Sequence, residues 1–175
     1  MSDLIHAIYH DLEYLGVAID FAAEVGEVLQ RSIFFEQFDA WEIGTLCQYL
    51  QCFVAPGNTI LLREGEPGDH MLIVLSGEVA VRKTDLSGHV VGLGLVGPGG
   101  ILGEMSLIDG EHRFATCATI KPTRFAALTR QDLNEIIALH PRLANKFLLL
   151  LLEAIVGRLR DTGTRMVASE ARAVG

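Results

Sequence analysis

Apolar positions along the chain change their period twice. In residues 1–31, Leu4, Ile5, Ile8, Leu12 and Leu15, then Ile19, Ala22, Val25 and Leu29, approximate one helical stripe, with Asp11, Glu13, Asp20, Glu24 and Glu27 mostly off it. Gly16 and Gly26 break that stripe into pieces. The spacing predicts an N-terminal helical extension, either packed on the rest of the domain or offering a surface to a partner. Asp39-Ala-Trp-Glu42 reads as a helix N-cap with an acidic residue three positions on, and Ile43, Leu46, Cys47 and Leu50 continue at helical spacing. Trp41 is expected to pack.

From Pro56-Gly57-Asn58 the texture becomes short strands divided by glycine turns, at 59–62, 71–75, 78–82, 89–96 and 124–128. Residues 115–120 alternate in the same way. Thr129-Arg-Gln-Asp132 then caps a helix with Leu133, Ile136 and Ile137 on one face, and His140-Pro141 opens another. Leu143, Phe147, the run 148–152, Ala154, Ile155, Val156 and Leu159 make this last helix apolar nearly all round, with a helical or frayed tail after it. Such a helix needs cover on more than one side. The strand domain supplies one side and, most simply, the same helix of a second subunit supplies the other, which predicts a homodimer. The fold class is mainly β with flanking helices: a jelly roll at 32–140, the helical extension at 1–31, and a long C-terminal dimerisation or lid helix and tail at 141–175.

Residues 97–120 carry the candidate chemistry. Pro98, Gly99, Gly100 and Gly103 let the backbone turn and approach a ligand. Met105 to Ile108 then form one helical turn whose first N–H groups face whatever lies over the glycines. Asp109-Gly110 ends the turn. Glu104 offers a carboxylate acceptor for a sugar hydroxyl, and Arg113 a planar donor fork for a phosphate. Together they describe a ribose phosphate, against the alternative that the two side chains pair across a surface loop.

Gly103-Glu104-Met105-Ser106-Leu107 and then Arg113-Phe114-Ala115-Thr116 resemble the phosphate-binding cassette of the cyclic nucleotide-binding domain family. Gly65-x-x-Gly68-Asp69, an aliphatic strand and Ser76-Gly77 resemble that family's upstream signature, in the expected order. The resemblance implies a regulatory module in which Arg113 takes the exocyclic phosphate, Glu104 the ribose 2′-hydroxyl, and the N–H groups at Met105 and Ser106 complete the cradle beside Gly103. The ligand would be cAMP or cGMP, cAMP in the first place, and the C-terminal helix would relay the signal, with Arg158 or Thr162 near the base. The chain departs from the pattern at His112, where the family has proline, and at Phe114, where it has a small residue. A ring pointing into the pocket would exclude ligand and leave Arg113 to pair with Glu104; a ring turned to the core would leave the pocket open. A roll that has lost its ligand and serves dimerisation or protein interaction is the alternative function.

Composition narrows the field further. With 175 residues and a net charge of −8, the chain can bury one good core and presents no basic surface for nucleic acid, so binding of DNA by this chain alone is not expected. Cys47, Cys52 and Cys117 lack metal-type spacing and read as buried small hydrophobes in a reducing compartment. The first residues lack a secretory pattern and no apolar run reaches membrane-spanning length, so a cytoplasmic protein away from the membrane is expected. His70, His89 and His112 stand singly, giving no metal-ligand set, and the histidines read as surface or loop residues. There is no nucleophile elbow or Walker loop, hence no expected catalytic residue, cofactor or enzyme activity. After Arg160 no helix-turn-helix is expected in this sequence.

Overall fold

The computed structural model describes residues 3–173, and their side chains from 5 to 164. Its centre is a pair of antiparallel sheets. Strands β1 (Glu13–Val17), β2 (Gln51–Ala55), β4 (His70–Ser76), β7 (Ile101–Leu102) and β9 (Thr123–Thr129) form one sheet in the order β1-β2-β9-β4-β7. Strands β3 (Ile60–Leu62), β5 (Val79–Thr84), β6 (Val90–Val96) and β8 (Thr116–Thr119) form the other, β3-β8-β5-β6. This is the expected jelly roll with flanking helices.

Strand β4 shows why the sequence builds two layers of core. All its residues but Ser76 are buried, and the period of two sends them to opposite faces. Leu72 and Val74 meet Phe53, Phe125, Leu62 and Val79 between the sheets. Met71, Ile73 and Leu75 lie on the other face, under Leu29, Leu46, Phe147 and Leu151 of the helices. The covering helices are α2 (Ala22–Gln30), α3 (Ala40–Cys47), α5 (Arg130–Leu139) and α6 (Pro141–Ala173). Two reciprocal caps fix where α3 and α5 start. Asp39 Oδ1 accepts from Glu42 N at 2.8 Å while Glu42 Oε2 accepts from Asp39 N at 2.9 Å. Thr129 Oγ1 accepts from Asp132 N at 3.1 Å. Each such cap satisfies donors that a helix start leaves orphaned.

The N-terminal stripe is only partly helical. Helix α1 (Asp3–Ile8) gives way to β1, which pairs antiparallel with β2, and then to a 3-10 turn at Ala18–Phe21. A free edge of β2 offers a row of backbone partners, and pairing there overrides the weak helical spacing of Leu12 and Leu15. Gly16, at φ 119°, takes a conformation no helix holds, where the β1 register shifts. Helix α1 carries Ile5 and Tyr9, just past its end, into the core between the sheets; the expectation for the Leu4 side chain lies outside the described residues. Trp41 is 67% exposed, and its ring meets His140 edge-on, so it does not pack as expected. Cys47, Cys52 and Cys117 are buried and free, and burial pushes the first two thiols to about 11 and Cys117 to about 12. The tail beyond Arg160 continues α6 as helix to Ala173.

Candidate functional site

The glycine-rich stretch ends β7 and turns into a short helix, α4 (Glu104–Asp109), between two left-handed glycines, Gly103 at φ 74° and Gly110 at φ 77°. Only glycine takes that conformation without a Cβ penalty. A Cβ on Gly103 would stand 2.7 Å from Arg113 Nη1, and one on Gly68 2.7 Å from Arg113 Nε. The two glycines therefore form the niche in which the guanidinium lies.

Arg113 is 4% exposed rather than lying on a surface loop. Its Nη1 donates to the carbonyls of His70 at 2.7 Å and Gly103 at 3.2 Å, and its Nη2 donates to His70 Nδ1 at 3.0 Å. Three of the five guanidinium donors are thus engaged, and two remain. Burial lowers the Arg113 pKa, and the nearby Tyr9 and Asp69 oppose that shift.

Glu104 is fully buried and does not pair with Arg113. Its Oε1 accepts instead from Nη1 of Arg158, on α6, whose Nη2 also donates to the Ile101 carbonyl. Glu104 Oε2 is buried without a hydrogen-bond partner among the described residues. Gly103, Glu104, Met105, Ser106, Arg113 and Phe114, the six residues singled out in the sequence, all line one cavity together with Arg158. The cavity is about 50 Å³, far below the roughly 300 Å³ at the small end of ligand sites. Arg158 forms part of its wall.

Phe114 takes neither expected course. Its ring is 51% exposed at the cavity mouth, with Lys83 Nζ 4.1 Å from the ring centroid and 2.7 Å from the Phe114 carbonyl oxygen. Glu64 holds Lys83 from the other side at 2.9 Å. The ring neither packs in the core nor drives Arg113 onto Glu104. Thr162 donates its hydroxyl to the Arg158 carbonyl, within its own helix.

Motifs miss the part His70 plays, and they set Arg158 near a base rather than against Glu104. His70 is buried, not a surface histidine, because desolvation is offset by its partners: Nε2 lies 2.8 Å from Tyr9 Oη and Nδ1 lies 3.0 Å from Arg113 Nη2, with Asp69 Oδ1 nearby at 3.1 Å. Burial first, then the charge of Arg113, lower its pKa to about 4. The signal for it was the alternation of β4, which sets 70, 72 and 74 on one face. Arg158 follows Phe147, Leu151 and Ala154 at helical spacing, and although its side chain is 43% exposed its guanidinium reaches the buried Glu104.

The chain is similar to known proteins over most of its length. Residues 53–140 match the family model of the cyclic nucleotide-binding domain. A CRP-like cAMP-activated global transcriptional regulator of Mycobacterium tuberculosis is 30% identical over 140 residues, 80% of this chain and 61% of the relative. The cyclic AMP receptor protein of Thermus thermophilus is 33% identical over 110 residues, 63% of this chain and 51% of the relative. A solved cyclic nucleotide-binding domain from Methylobacillus flagellatus is 40% identical, with a TM-score of 0.84 over 93% of this chain and 91% of that one. The chain thus spans 61% of the length of the mycobacterial regulator. Among the described residues no helix is long and apolar enough to cross a membrane.

Proposed function

From the premise that this chain belongs to the cyclic nucleotide-binding domain family, we propose that it binds cAMP in the cavity under α6 and relays occupancy through that helix. The single observation that carries this reading is the buried Glu104 carboxylate: among the described residues its Oε2 has no partner and its Oε1 is held only by an arginine from α6. A ribose 2′-hydroxyl supplies the missing donor. Arg113 takes the phosphate with its two unused N–H groups, and the first turn of α4, whose N–H groups lack intrahelical acceptors, completes the cradle. To admit the sugar, Arg158 leaves Glu104, and α6 is released from the roll at that point. Calorimetric titration with cAMP and cGMP tests this directly. Heat saturating at one nucleotide per chain, with cAMP the tighter, is the expected result.

A second reading, a roll that takes no nucleotide and serves dimerisation or protein interaction, is favoured by the seating of Arg158 in the cavity. Absence of heat with both nucleotides would select it.

In both readings the chain forms a homodimer along α6. Leu149, Leu152, Val156 and Leu159 keep a three-four spacing on the helix, and Leu152 is 55% exposed. That is the seam of a two-stranded coiled coil. Leu152→Glu should convert a dimer to a monomer in light scattering without lowering the melting temperature of the roll, since the side chain lies outside the described core. A dimer that persists unchanged would place the interface elsewhere.

A further inference from the structure

Helix α1 and the turn after it lie outside the matched residues 53–140, yet they reach the guanidinium of Arg113 through one intermediary. Tyr9 Oη lies 3.2 Å from the Leu61 carbonyl, to which it donates, and 2.8 Å from His70 Nε2. Tyr9 is buried, and burial raises its phenol pKa so far that it stays a donor. With its hydrogen given to Leu61, the phenol oxygen must accept from His70, so Nε2 carries the ring proton. Nδ1 is then a bare acceptor, as its 3.0 Å contact with Arg113 Nη2 requires. The other tautomer would point Nδ1–H at Asp69 Oδ1, 3.1 Å away, and would oppose a ring N–H to a guanidinium N–H. The first tautomer satisfies Tyr9, His70 and Arg113, all buried; the second favours Asp69, whose side chain is half-exposed and can take water instead.

We propose that Tyr9 and His70 are positioning residues for Arg113: Tyr9 fixes the proton on His70 Nε2, and so keeps Nδ1 free to hold the guanidinium in the orientation that receives a phosphate. The proposal rests on the reading of Arg113 as the phosphate ligand. It makes the N-terminal segment part of the binding site without touching the nucleotide. Tyr9→Phe removes one oxygen and keeps the ring that packs on Phe53 and Phe125. Freed of Tyr9, the His70 proton should move to Nδ1 and bond to Asp69, and Arg113 should lose one of its three anchors.

The test combines nitrogen NMR of labelled histidine with cAMP titration. Wild type should show the His70 proton on Nε2. Tyr9→Phe should show it on Nδ1 and bind cAMP about tenfold more weakly, the size of one hydrogen bond to a charged group. Adding Asp69→Ala removes the competing acceptor, and should return both the proton and the affinity. A merely structural role for Tyr9 would give neither the tautomer change nor the rescue. Wild-type affinity in Tyr9→Phe, weaker binding with the proton still on Nε2, or no rescue in the double variant would each overturn the proposal. Should wild type bind neither cAMP nor cGMP, or Arg113→Ala bind as tightly as wild type, the reading of the site falls and this proposal with it. Binding that needs Arg113 but ignores Tyr9 removes the proposal alone.

Discussion

Arg113→Ala is expected to weaken cAMP binding roughly 10- to 100-fold, because a charge-assisted donor pair to phosphate contributes about 1.5–3 kcal/mol. The same substitution should also lower stability. From the sequence, a surface arginine would cost binding and spare the fold. In the structure the guanidinium is buried and donates to the carbonyls of His70 and Gly103, and each hydrogen bond lost from a charged donor costs about 1.5–3 kcal/mol. Titration and thermal melting on one preparation separate the two losses. Arg113→Lys keeps a charge but not the planar fork, so it should recover more of the melting temperature than of the affinity. Equal affinity in wild type and Arg113→Ala would remove the arginine from the site.

The second large effect is a loss of stability in mild acid that belongs to one ring. His70 titrates at 6.5 when unfolded and at about 4 in the folded chain, where burial and then the charge of Arg113 oppose its protonation. With the folded value the lower, the unfolded state takes the proton first. The contribution is therefore whole above pH 6.5 and drains away as pH falls toward 4, an amount of about 3 kcal/mol. The groups facing the ring are Tyr9, Asp69 and Arg113. Denaturant midpoints at several pH values for wild type and His70→Gln would measure it. The variant is less stable at pH 7 but should show a flatter profile between 6.5 and 4; parallel profiles would mean that His70 takes its proton as readily folded as unfolded.

What could be read in the sequence was whatever neighbouring residues decide. Asp39 with Glu42, and Thr129 with Asp132, cap their helices through contacts that reach only three residues along the chain. The run 71–75 reads as an aliphatic strand, and Gly103 to Arg113 encloses its own turn. Glu13–Val17 was not legible as a strand, because its partner β2 lies more than thirty residues away and its own pattern suits a helix equally well. The partners of the two charged site residues were hidden for the same reason. Glu104 meets an arginine 54 positions later, and Arg113 a histidine 43 positions earlier. Motifs identify which residues a site has, but only the closed roll determines which of them touch.

Arg158 and Leu159 are consecutive residues, about 100° apart around one helix. The first is lodged in its own subunit's cavity, and the second stands on the proposed seam with the other subunit. A rigid helix cannot turn one without turning the other. In such a dimer, pairing and nucleotide affinity share a single free-energy term, and that term is reciprocal: by whatever factor ligand loosens or tightens the pair, the pair loosens or tightens ligand. The two cavities would then communicate through the helices that give each of them its Arg158.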